Sequence, residues 1–227
     1  PLLLSGLITL ILWQFPWGRL ALYPFTLMAT YAHEMGHGLT ALAVGGRFHS
    51  LLMFPDGSGV ARHAVGSGAA AALVAAGGLV GPAVAGAILM ASTRRASRAR
   101  WVLFMLGIGM ALSIILYVRG SFAQSFVGLV AVSLLLLARY TSTQVALLSV
   151  QFLGLQLCLA VFKDLDYMFS PGGYVGGRLM RSDSAAIAEV LLLPYWFWGA
   201  LTAVFSFVVI GLGLRQVLKP TPPSPRT

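Results

Sequence analysis

A chain of 227 residues with 58% hydrophobic and only 9% charged residues is too apolar for an ordinary soluble domain. Its formal net charge of +9 does not indicate nucleic acid. Most basic residues fall in short connections between apolar runs or in the tail, where they set topology and meet lipid headgroups. The composition predicts an all-α, polytopic integral membrane bundle of about six to seven helices. Residues 1–214 form one membrane-embedded domain, followed by a disordered, proline-rich tail over 215–227.

Residues 1–14 are apolar but shorter than a span, and are read either as a truncated first span or as a segment lying in the interface beside Trp13, Phe15 and Trp17. Uncharged or nearly uncharged runs at 22–44, 70–91, 101–118, 122–138, 143–162 and 184–214 each approach the ~20 residues that cross a bilayer. Between the first two, Phe48, Leu51, Leu52, Met53 and Phe54 lead into Pro55-Asp56-Gly57-Ser58-Gly59. A strand-like run before a strong turn predicts a short β-hairpin in the 45–69 loop. Such a hairpin is read either as a plain surface feature or as an edge that holds an extended substrate by strand addition.

Gly77, Gly78, Gly81 and Pro82 fall in the next run, where small residues four apart let another helix approach closely. Arg94, Arg95, Arg98 and Arg100 place their connection on the cytoplasmic side by the positive-inside rule. If spans alternate, Arg19, Arg139, Arg215, Lys219 and Arg226 join them, nine against six on the other side. That margin leaves the orientation open. Cys158, the single cysteine, sits within a span and reads as a small buried hydrophobe.

The first long run contains His33-Glu34-Met35-Gly36-His37, an H-E-x-x-H pattern. One helical turn brings both imidazoles to one face, where they can bind one Zn²⁺, with Glu34 beside them as general base. With four histidines and few glutamates in the chain, chance placement would yield the pattern with a probability on the order of one in a thousand. An ionisable residue within a span also points to function. The rival reading is a set of neutral histidines and a glutamic acid satisfied by interhelical hydrogen bonds.

A catalytic zinc site takes a third protein ligand, and the chain has only six carboxylates. Asp56 reads as a turn former. Asp183 is favoured as the ligand, with Asp164 as runner-up and Asp166 behind it. Both front-runners have plainer alternatives: Ser182 or Asp183 as a helix cap, and Asp164 paired with Lys163 or Arg178. Glu189 reads as an interhelical residue within the last span, and His49 and His63 as surface histidines flanking the hairpin.

Ala32-His33-Glu34-Met35-Gly36-His37-Gly38 with Gly45-Gly46, Phe54-Pro55-Asp56-Gly57-Ser58-Gly59, Gly77-Gly78-Leu79-Val80-Gly81-Pro82 and Ser182-Asp183-Ser184-Ala185 together resemble the site-2-protease class of membrane zinc metallopeptidases, peptidase family M50. The closer likeness is to its compact M50B-like branch. This resemblance implies a membrane-embedded zinc site completed by a carboxylate from a later helix, and cleavage of substrate transmembrane helices in a multi-pass, bacterial-type cell membrane. The best-studied members carry an asparagine and prolines leading to Asp-Gly. Here Val175 precedes Gly176-Gly177, so the third ligand does not carry over by motif. The expected partners are a membrane protein substrate and the lipid bilayer. The alternative is a catalytically silent zinc-binding scaffold of the same family; a metal or proton conduit lacks polar groups in the runs at 101–118 and 122–138.

Overall fold

The computed structural model describes residues 2–218, so the proline-rich stretch 219–227 lies outside the described residues. Helices α1 (Leu2–Leu12), α2 (Pro16–Ala21) and α3 (Tyr23–Ala43) lead to an antiparallel hairpin of β1 (Arg47–Met53) and β2 (Gly59–Ala64). Four long helices follow: α4 (Ala69–Ser92), α5 (Ala99–Leu116), α6 (Ser121–Tyr140) and α7 (Thr143–Lys163). The chain then forms α8 (Leu165–Met168), a second hairpin of β3 (Gly172–Val175) and β4 (Arg178–Arg181), α9 (Asp183–Val190) and α10 (Tyr195–Leu218).

Five helices are long and apolar enough to cross a membrane, namely α4, α6, α7, α10 and the stretch Ala96–Leu116 that contains α5. The predicted span at 22–44 forms as α3, 21 residues long, but its own polar site residues keep it out of that apolar group. The predicted span at 184–214 is corrected. Pro194 disfavours helix at the residue before it, and the chain breaks there into α9 and α10. α10 also continues through Leu218, so residues 215–218, expected in the tail, are helical. Residues 1–14 contain α1, which is 11 residues long and, at ~1.5 Å per residue, too short to cross a bilayer.

Packing of α3 on α4 sets the site. A Cβ at Gly36 would stand 2.2 Å from the Gly77 carbonyl oxygen, and one at Gly81 2.7 Å from that of Ala32, so the two backbones approach as closely as glycine allows. Large apolar side chains such as Ile88, Ile115 and Leu129 face outward, as lipid-facing surface requires. At the end of α3, Gly45 takes a positive φ of 79° and turns the chain into β1.

The predicted hairpin forms and folds back along α3. Tyr23 Oη donates to the Pro55 carbonyl at 2.7 Å, and Thr30 Oγ1 to that of Gly57 at 2.6 Å. Asp56 is the turn former expected, its Oδ1 accepting from the Ser58 amide and hydroxyl. One edge of β1 is already taken. The Leu51 amide donates to the Tyr117 carbonyl and the Arg119 amide to that of Leu51, both at 2.8 Å.

Candidate metal centre

His33 and His37 stand on α3 one turn apart, and their Nε2 atoms lie 3.1 Å from each other. His37 Nδ1 is 2.8 Å from the Val74 carbonyl oxygen on α4. An N–H donated there leaves the Nε2 lone pair of a neutral ring free to face the cluster. Asp183 supplies the third group: Oδ2 lies 3.0 Å from His33 Nε2 and Oδ1 3.3 Å from His37 Nε2. Ligand atoms ~2.0–2.1 Å from one ion in a tetrahedral arrangement stand about 3.3 Å apart. The three observed separations match that spacing, so the residues present fit a metal ion.

Asp183 reaches this point because it does not cap α9. Ser182 does, its Oγ accepting from the Ala185 amide at 3.2 Å, which leaves the Asp183 carboxylate in the first helical turn free to turn toward α3. Burial alone would raise its pKa, but the charge of His37 and the hydrogen bonds of His33 and His37 hold the carboxyl well below its ordinary range. It is therefore ionised at neutral pH, as a metal ligand must be.

Glu34 is buried at 6% exposure and shares with His33 the wall of a cavity of about 230 Å³, roomy enough for several waters, which also reaches Asp164 and Tyr167. The hairpin comes hard against it. A Cβ at Gly59 would lie 2.7 Å from Glu34 Cγ, so glycine there lets β2 wall the cavity.

The remaining candidates take other places. Asp164 lines the cavity but is not among the converging donors, which are His33, His37 and Asp183; the runner-up ligand is set aside. Asp166 is exposed. Glu189 is no interhelical residue: it is half exposed and pairs with Arg181. His49 is exposed, and so is His63, although the His63 ring stacks on His37 with centroids 6.0 Å apart. Gly176 and Gly177, which mimic the Asp-Gly motif, are the two positive-φ turn residues between β3 and β4, as a two-residue hairpin demands.

Sequence reasoning missed Tyr167. Its Oη lies 3.4 Å from Asp183 Oδ2 and its ring meets His33 edge-on at 6.2 Å. Burial, followed by the Asp183 charge, raises the phenol pKa, so it remains a proton donor beside the carboxylate. Its position one turn after Asp164 holds no signal of this role, because the contact depends on how α8 and α9 meet.

Gly78 is the floor under His37, where a Cβ would stand 2.2 Å from the imidazole Nε2. Gly78→Ala is expected to displace the ring and weaken metal binding by about tenfold or more, measured by competition with a chromogenic chelator. Gly109→Ala, at a helical glycine with open space around it, leaves the affinity unchanged.

With this geometry in hand, the comparison with known families is decisive: the Peptidase M50B-like family model matches residues 3–213. The chain belongs to the Peptidase M50B-like family. No curated protein and no solved structure matches it. The matched stretch of this M50B-like chain contains His33, Glu34, His37 and Asp183, both hairpins and all five candidate membrane-crossing helices.

Proposed function

We propose that this chain is an intramembrane zinc metalloprotease that hydrolyses peptide bonds in or near the membrane-spanning segments of protein substrates. The observation that carries the reading is the convergence of the Asp183 carboxylate on His33 and His37 at 3.0 and 3.3 Å. His33, His37 and Asp183 hold Zn²⁺. The ion, when bound, lowers the pKa of a coordinated water toward neutrality and polarises the carbonyl under attack.

Glu34 acts as general base: a carboxylate oxygen accepts the proton of the attacking water and then delivers it to the nitrogen of the leaving amine. The cavity beside His33 admits both the water and the peptide. The wall of β2 and the Gly173–Val175 stretch of β3 exclude bulk solvent. A silent scaffold of the same family is less favoured, because it needs neither a third converging ligand nor a cavity leading to the base.

Reconstituted in liposomes with a membrane-spanning peptide, the protein is expected to lose cleavage on treatment with 1,10-phenanthroline and regain it with about one equivalent of Zn²⁺. Cleavage that persists without metal, or stoichiometric zinc binding with no cleavage of any membrane-spanning substrate, overturns the proposal.

A further inference from the structure

The end of the bundle remote from the metal centre carries Arg94, Arg95, Arg98 and Arg100 between α4 and α5, Arg139 in the last turn of α6 and Arg215 in that of α10. All six carboxylates of the chain lie elsewhere: Glu34, Asp56, Asp164, Asp166, Asp183 and Glu189. Among the described residues none of these arginines has a carboxylate within 4.0 Å. This positive charge lacks a counter-charge from the protein itself.

Two of the arginines differ from the rest in standing at the rim of a built groove. The groove lies between α5 and α6, holds about 520 Å³, and has Phe104, Ile108, Leu135 and Leu136 along its apolar length. Its depth follows from Gly107, where a Cβ would meet the Leu135 side chain at 2.9 Å. Arg100 is fixed there, its Nε donating to the Ala138 carbonyl at 3.0 Å and one terminal nitrogen to that of Arg139 at 2.9 Å. Those bonds satisfy the end of α6 and leave the other terminal nitrogen with its donors unspent. Arg139 lies over the Tyr140 ring, 5.4 Å from its centroid. Trp101 and Tyr140, 66% and 75% exposed, flank the same rim, as aromatic side chains do at the headgroup level.

We infer that this groove is a binding site for an anionic phospholipid, the phosphate held between Arg100 and Arg139 and one acyl chain laid along Phe104, Ile108, Leu135 and Leu136. The charge pattern selects the occupant. A zwitterionic lipid brings its own cation to a rim that already holds two, whereas a net anionic headgroup supplies the missing counter-charge. The apolar length selects a lipid over a soluble phosphate, and the site stands independently of the proteolytic reading.

The full chain, in detergent, would be titrated with phosphatidylglycerol and with phosphatidylcholine bearing dibrominated acyl chains, reading quenching of Trp101. A Trp101→Phe protein provides the signal of the other four tryptophans for subtraction. Phosphatidylglycerol is expected to quench with an affinity on the order of tenfold higher than phosphatidylcholine, a preference that falls with added salt. Arg139→Gln and Arg100→Gln should each reduce it severalfold. Since Arg100 also closes α6, Arg139→Gln, which spares those bonds, is the variant that decides if Arg100→Gln does not fold. Equal affinities overturn the site. So does a preference that survives Arg139→Gln but vanishes when Arg94, Arg95 and Arg98 are all replaced by glutamine, because that is surface attraction without a groove.

Discussion

Glu34→Gln is expected to bind one equivalent of Zn²⁺ as the unmodified protein does while its rate of peptide hydrolysis falls by about 10²–10⁴-fold. The metal is retained because its three candidate donors are His33, His37 and Asp183, none of them altered. Hydrolysis is lost because the amide cannot accept a proton from water, and because the nearest alternative carboxyl on the same cavity wall, that of Asp164, is not beside the His33–His37 pair. The amide keeps the shape of the carboxylate against Gly59, so the fold should survive. Replacing a buried acid with an uncharged group also removes a desolvation cost. Zinc content by elemental analysis and cleavage in liposomes decide the matter. Turnover close to that of the unmodified protein would refute the role given to Glu34.

Replacing the third donor has the opposite signature. Asp183→Asn is expected to weaken zinc binding by more than about 100-fold, beyond the loss usual for changes outside the ligand set, and to abolish activity through loss of the metal. The amide removes the charge that the two imidazoles and the cation face together, and it is a far poorer zinc ligand than a carboxylate. α9 should persist, since Ser182 and not Asp183 accepts the capping hydrogen bond. Asp164→Asn is the control, expected to leave zinc affinity near its original value because that carboxylate is outside the converging set. Affinities from chelator competition on both variants, with circular dichroism to verify helicity, separate the two aspartates. Equal losses in both would mean that the ligand assignment is wrong.

What could be foreseen, and what could not, follows the range of each interaction. The hairpin at 45–69 was legible because turn propensity is local: Pro55, Asp56 and Gly57 favour a reversal wherever they stand. The second hairpin, β3–β4, was not anticipated. Its Gly176-Gly177 turn was noticed only as an echo of a metal motif, and its short strands lack an alternating apolar pattern. Glu189 was placed inside a span because residues 184–214 read as one apolar run, and the interruption at Pro194 instead leaves it exposed on α9 beside Arg181.

The sequence by itself determined the membrane class of the chain, the positions of most of its long helices, and the pairing of His33 with His37 beside Glu34. Hydropathy and the 3.6-residue period act within one segment and need no partner. Only the tertiary structure decided which aspartate meets that pair. The choice rests on Ser182 taking over the cap of α9, on Gly78 giving His37 room against α4, and on the meeting of α8 and α9 that brings Tyr167 to Asp183. These contacts join segments far apart in the chain, and no local propensity encodes which of two nearby carboxylates will face the histidines once the helices pack.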